Sequence, residues 1–144
     1  MFGISQGQAC QWIHRLTEVL KIALEKGGFL PSIHPQKVEV ALENSSTQEF
    51  VIDGTERPIQ RLPSNEKQKN YYSGKQKRHT CKNNIIVDAE SGKIGYYRYT
   101  VEGKKSDKKI ADEDNCSFPP NSTLGKDKGF QGYEPKGVIS LQSF

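Results

Sequence analysis

Behind Ser5, the apolar residues Ala9, Ile13, Leu16, Leu20 and Leu24 recur at helical spacing until Lys26, Gly27 and Gly28 stop the run. Ser5 with Gln8 three positions on fits a capping box, so the pattern predicts an amphipathic helix over about residues 6 to 26. A lone helix cannot bury its own apolar stripe, so this one is expected to pack on the rest of the chain or on something before Met1. Trp12 on that helix reads as a core or partner contact.

From Leu30 to Ser46 the pattern loses its period around Pro31 and Pro35, and the segment reads as connection. Glu49 to Asp53 then reads as a short buried strand closed by Gly54, with Asp53 at its carboxyl end. Residues 57 to 77 are polar, basic and hold Pro58 and Pro63, which predicts a long loop. Lys82 to Asp88 and Lys93 to Val101 flank Ala89, Glu90, Ser91 and Gly92, a hairpin signal that assigns Asp88 to the turn. Tyr96, Tyr97 and Tyr99 alternate around the second arm, so some belong to the core.

Asp107 to Asp114 fits a short helix around Ile110 and Ala111, with its acids on a solvated face, and Pro119 with Pro120 should end that stretch. Thr123 to Asp127 is a candidate fourth strand and Gly137 to Leu141 a fifth. The order is a three-strand meander, a helix and two further strands, preceded by the amino-terminal helix. That order is α+β with a mixed sheet, in which Asp53 and Asp127 stand at the ends of two strands able to lie side by side.

Composition narrows the class. The chain has 144 residues, 33% of them hydrophobic, and Leu, Ile, Val and Phe total 32, enough for one thin core. No apolar run approaches the ~18 residues of a membrane helix and no signal peptide is visible, so the expected location is cytoplasmic. Cys10, Cys81 and Cys116 are widely separated and read as free thiols, and His14, His34 and His79 form no zinc-type spacing.

The net charge of +4 is concentrated in one place. Residues 53 to 82 carry 8 basic and 3 acidic groups, against 9 and 9 in residues 83 to 144. The cations Arg57, Arg61, Lys67, Lys69, Lys75, Lys77, Arg78 and Lys82 are interleaved with Tyr71 and Tyr72, a mixture suited to neutralising phosphates and stacking on bases. Two carboxylates from neighbouring strand ends bridge hard divalent cations well, although a turn or cap role is the plainer assignment for either aspartate.

The run from Val51 to Arg61 (VIDGTERPIQR), that from Tyr71 to Thr80 (YYSGKQKRHT), Asp107 to Glu113 (DKKIADE), Phe118 with the two prolines after it, and Leu124 to Tyr133 (LGKDKGFQGY) together resemble the DDE transposases of bacterial insertion sequences. The closest likeness is to the endonuclease-type subgroup related to Harbinger elements. The resemblance implies a ribonuclease H-like fold and divalent-metal-dependent (Mg²⁺ or Mn²⁺) hydrolysis and strand transfer of DNA at transposon terminal repeats. By motif it assigns the first two catalytic and metal-binding aspartates to Asp53 and Asp127. Phe2 to Gln6 and Trp12 to Arg15 look like the end of the family's helix-turn-helix.

The resemblance therefore divides the chain into a helix-turn-helix remnant (1–28), a linker (29–47) and a partial endonuclease domain (48–144), cut short at both ends and lacking the final helix. The family's third acid, a glutamate on that helix, has no counterpart, since Glu134 beside Pro135 is the only acid after Asp127. Ser106 also departs from the family, in which a histidine tends to precede the Asp107 run. Impaired activity is expected, with a second chain as a source of the third acid. The alternatives are a non-catalytic DNA-binding fragment that competes with the intact transposase, or an inert remnant.

Overall fold

The computed structural model describes residues 3–143, so Phe2 of the amino-terminal motif lies outside the described residues. The chain forms two compact units, Met1–Leu30 and Pro31–Phe144.

The first unit is helix α1 (Gln6–Lys26), started by the expected capping box. The Ser5 hydroxyl accepts from Gln8 N at 3.2 Å and the Gln8 side chain accepts from Ser5 N at 2.9 Å. The Gly27 N–H bonds back to Ala23 O and ends the helix. No described residue of α1 is buried, and Trp12, Ile13, Leu16 and Leu20 form an exposed apolar stripe.

The second unit is α+β around a seven-stranded mixed sheet. Its elements are α2 (Val38–Leu42), β1 (Glu49–Pro58), α3 (Asn65–Tyr71), β2 (Tyr72–Ser73), β3 (Arg78–Asp88), β4 (Ile94–Tyr97), β5 (Val101–Glu102), α4 (Asp107–Asp114), β6 (Ser117–Lys126) and β7 (Lys136–Ser143). Strand β3 is the hub. It runs antiparallel to β1, with Phe50 opposite Asp88 and Pro58 opposite Thr80, and its other edge takes β4 and β5. The expected meander is thus present as β1, β3 and β4. Strands β6 and β7 extend the sheet in parallel with β1.

Period-two alternation sends Phe50, Ile52, Ile86, Tyr96 and Leu124 to one face of the sheet, where they meet Val38 and Leu42 of α2 and Ala111 of α4 in a single core. The stretch expected as a linker up to residue 47 therefore contributes core. Two apolar residues four apart on a single helical turn suffice for that, too few to give a period in sequence. Gly95 lets this happen, since a Cβ there would collide with the Leu42 side chain.

Three further differences have local causes. Strand β1 continues past Asp53 to Pro58 because β3 pairs with it throughout, whereas its pairing with β6 stops at Ile52. The segment 57 to 77 is not all loop, because it holds α3 and β2. The pair Pro119 and Pro120 lies inside β6, tolerated because the β6–β7 pairing breaks between Ser117 and Ser122 and Asn121 takes φ +65° there.

Candidate active site

Ile52 and Lys126 are the last partners in the parallel β1–β6 pairing, so Asp53, still within β1 opposite Ile85 of β3, and Asp127, just past β6, come next on adjacent strands, whose spacing is about 4.8 Å. Asp53 is exposed, and its Oδ1 accepts from Gly54 N at 2.8 Å. Asp127 caps the short 3-10 turn Lys128–Phe130, its Oδ1 accepting from Gly129 N at 2.8 Å. Each aspartate thus has a local backbone bond and lies just beyond the point where the β1–β6 pairing stops. Lys126, before Asp127, is buried and donates to Tyr133 O at 2.9 Å, fixing the turn that follows the strand.

Another carboxylate comes close to that of Asp127. Ser106 caps α4 by accepting from Lys109 N at 3.3 Å, which puts Asp107 in the first turn. Asp107 is not on a solvated face as expected. A Cβ on Gly54 would lie 2.9 Å from Asp107 Oδ1, and one on Gly129 would lie 2.9 Å from Asp127 Oδ1 and 3.1 Å from Asp107 Oδ2. Gly54 leaves room for the Asp107 carboxylate, and Gly129 leaves a cradle between those of Asp107 and Asp127. Residue spacing alone did not reveal Asp107; the small residues at positions 54 and 129 were the available signal.

Lys82, grouped by sequence with the DNA-binding cations, is only 8% exposed. Its Nζ donates to Asp107 Oδ1 at 3.2 Å and to Lys105 O at 3.1 Å, and lies 3.8 Å from Glu56 Oε2. The parity of β3 accounts for this: Lys82 shares the inner face with Asn84 and Ile86, opposite Glu56. Burial alone would raise the Glu56 carboxyl, but hydrogen bonds from Ser73 and Thr80 and the charges of Lys82 and Lys75 hold it below its ordinary range. Asn84 donates from Nδ2 to Asp107 O at 3.1 Å, and its Oδ1 is buried with no hydrogen-bond partner among the described residues.

The other basic candidates remain outside. Arg61, Lys67, Lys69, Lys75, Lys77 and Arg78 are exposed, as is Tyr72, while Tyr71 is half-buried. The Arg57 guanidinium is tied to Asn83 Oδ1 at 2.7 Å. A concavity of 840 Å³ opens beside α3 and β2, walled by Arg61, Gln68, Lys69, Tyr72, His79 and Lys104. The rings of Tyr72 and His79 meet edge to face at 5.7 Å. Lys104 comes from beyond the hairpin, outside the basic run, and His79 stands out in sequence only as one of three scattered histidines, so neither was a candidate there.

Residues 52–140 match the family model for DDE superfamily endonucleases. The chain belongs to this family. The DDE chain is also 26% identical, over 91% of its length, to the probable transposase for insertion sequence element IS702 of Microchaete diplosiphon, of which it covers 44%. No solved structure matches.

Among the described residues of the DDE chain, no group of three or more His, Cys, Asp or Glu side chains is placed to hold a metal ion. The donor chemistry fits a hard divalent cation all the same: carboxylate oxygens, no thiol or imidazole, and a space between Asp127 and Asp107 small enough for a single Cβ to occupy. No described helix is long and apolar enough to cross a membrane.

Proposed function

We propose that this domain is the phosphodiester-cleaving part of a DDE transposase acting on transposon-end DNA, with a ribonuclease H-like core. The observation that carries the reading is the position of Asp53 and Asp127 directly after the last residue pair of the parallel β1–β6 pairing, in a chain that belongs to the DDE endonucleases. Asp53 and Asp127 would hold Mg²⁺ or Mn²⁺, which when bound supplies activation of the attacking oxygen and stabilisation of the leaving one.

The chain's own residues bind and orient the substrate. Strand β1 leads from Asp53 toward Arg57, about 13 Å on at ~3.3 Å per residue, and so into the basic segment. Arg61, Lys67, Lys69, Lys75, Lys77 and Arg78, joined by Lys104, would hold the phosphate backbone, with Tyr72 and His79 as stacking surfaces. Arg57 would add to this only from its tethered position, and Lys82 serves inside the fold. Lys126, anchored on Tyr133 O, keeps the Asp127 turn in place.

The test is nicking of supercoiled plasmid in Mg²⁺ and in Mn²⁺ by the wild-type chain, Asp53→Asn and Asp127→Asn. Metal-dependent nicking abolished by both substitutions is expected. DNA binding without nicking, unchanged by Asp53→Asn, replaces the enzyme reading with that of a non-catalytic DNA-binding module, for which the basic concavity is the supporting observation.

A further inference from the structure

We propose that Asp107 is a further ligand in the divalent-cation site of this domain, delivered by α4 and oriented by Lys82 and Asn84. The inference rests on the metal-site reading of Asp53 and Asp127 given above and adds a residue to which the resemblance assigned no metal role.

Three independent features converge on Asp107. First, its carboxylate and that of Asp127 approach a common point, the space beside Gly129, at 3.1 and 2.9 Å. Two carboxylates facing one small space repel each other unless a cation or a proton lies between them, and oxygen pairs of this kind suit Mg²⁺ or Mn²⁺. Second, the division of labour on Asp107 leaves an oxygen over: Lys82 takes Oδ1, while Oδ2 is the oxygen turned toward Gly129. A buried ammonium held in place by Glu56 and Lys105 O is a positioning device, since it fixes the rotation of the carboxylate it pairs with. Third, Asn84 is 1% exposed, bonds the Asp107 backbone, and leaves its Oδ1 without a donor. An orphaned buried acceptor at a carboxylate site calls for a partner such as a cation-bound water.

Gly54 and Gly129 complete the picture. Neither has a positive φ, so backbone freedom does not explain them, whereas room for the carboxylates does. A Cβ at Gly129 would force the Asp107 and Asp127 oxygens apart without altering any charge.

The experiment is calorimetric titration of the full chain with Mn²⁺, with circular dichroism on each variant. Asp107→Asn is expected to weaken Mn²⁺ binding by about tenfold or more, as loss even of an outer partner does. Gly129→Ala, which keeps the Asp107–Lys82 pair, is expected to weaken it as well. The double variant Lys82→Met/Asp107→Asn removes the buried cation together with its partner, so it tests the ligand role even where Asp107→Asn alone unfolds. Weakened binding in the folded double variant supports the inference, and binding restored to the wild-type level overturns it by showing that Asp107 serves only Lys82. Binding lost in Asp53→Asn and Asp127→Asn but intact in Asp107→Asn overturns this inference alone. A wild-type chain that binds no Mn²⁺ overturns the metal reading and this inference with it.

Discussion

Asp88 ends β3 by accepting three hydrogen bonds on one oxygen, from Ser91 N at 2.7 Å, Ser91 Oγ at 2.8 Å and Glu90 N at 3.1 Å. The Ser91 backbone bond foremost, against burial, holds its carboxyl below its ordinary value of 3.8. A carboxyl lowered on folding contributes stability in full above the unfolded value and loses it as pH falls through the folded one. Asp88→Asn should therefore cost about 1–2 kcal/mol near neutral pH. In urea unfolding the gap between variant and wild type should close progressively below pH 3.8, and a gap independent of pH would contradict this role. Asp114 shows the opposite sign. Burial pushes its carboxyl up, and the Arg98 guanidinium at 2.6 Å only partly offsets that, while Tyr96 OH donates to it at 3.0 Å. Burial and the nearby Asp114 charge push the Cys116 thiol up to about 12, consistent with a free thiol kept inert within the core.

Helix α4 carries the Asp107 carboxylate, so its two ends matter to the site. Ser106 starts it, and Asn115 stops it with φ +47°, donating its N–H to Ala111 O at 3.0 Å. Asparagine tolerates this left-handed conformation where other side chains do not. Asn115→Gly should leave stability nearly unchanged, while Asn115→Val should lower it by about 1–2 kcal/mol, measured by thermal or urea unfolding. Equal effects of the two substitutions would show that backbone conformation is not what residue 115 provides. Gly103 plays a different part, since a Cβ there would strike the Thr80 side chain and carbonyl where the β5 end turns back over β3.

Across the whole molecule, charge is arranged by depth. Lys82 and Lys126 are inside and hold the site's framework, while the cations around α3 and the β2–β3 turn face water. Phosphate contacts by outer cations release counterions, each lowering the slope of log affinity against log salt by about 0.9 on duplex DNA. Lys67→Gln/Lys69→Gln should thus weaken DNA binding and flatten the salt dependence by up to ~2 in slope, measured by fluorescence anisotropy between low and moderate salt. An unchanged slope would remove α3 from the DNA surface.

Features governed by near neighbours in the chain were legible in the sequence. The α1 capping box, the Asp88 turn and the extent of α4 follow from spacing and turn chemistry, and the order of elements points to a mixed α+β sheet, whereas the β1–β6 pairing that brings Asp53 near Asp127 was only one arrangement open to that order. The family was legible too, carried by motifs that keep their sequence whatever they pack against. Tertiary structure alone decided the rest. It drew Val38 and Leu42 into the core, extended β1 beyond Gly54 through its pairing with β3, and joined Lys104 to a concavity formed by residues 25 or more positions earlier. It also turned Lys82 from a member of a basic run into the buried partner of Asp107. Charge and polarity in a sequence say what a side chain can do, but which face of a strand it occupies, and what crosses that face, is set by pairing with distant residues.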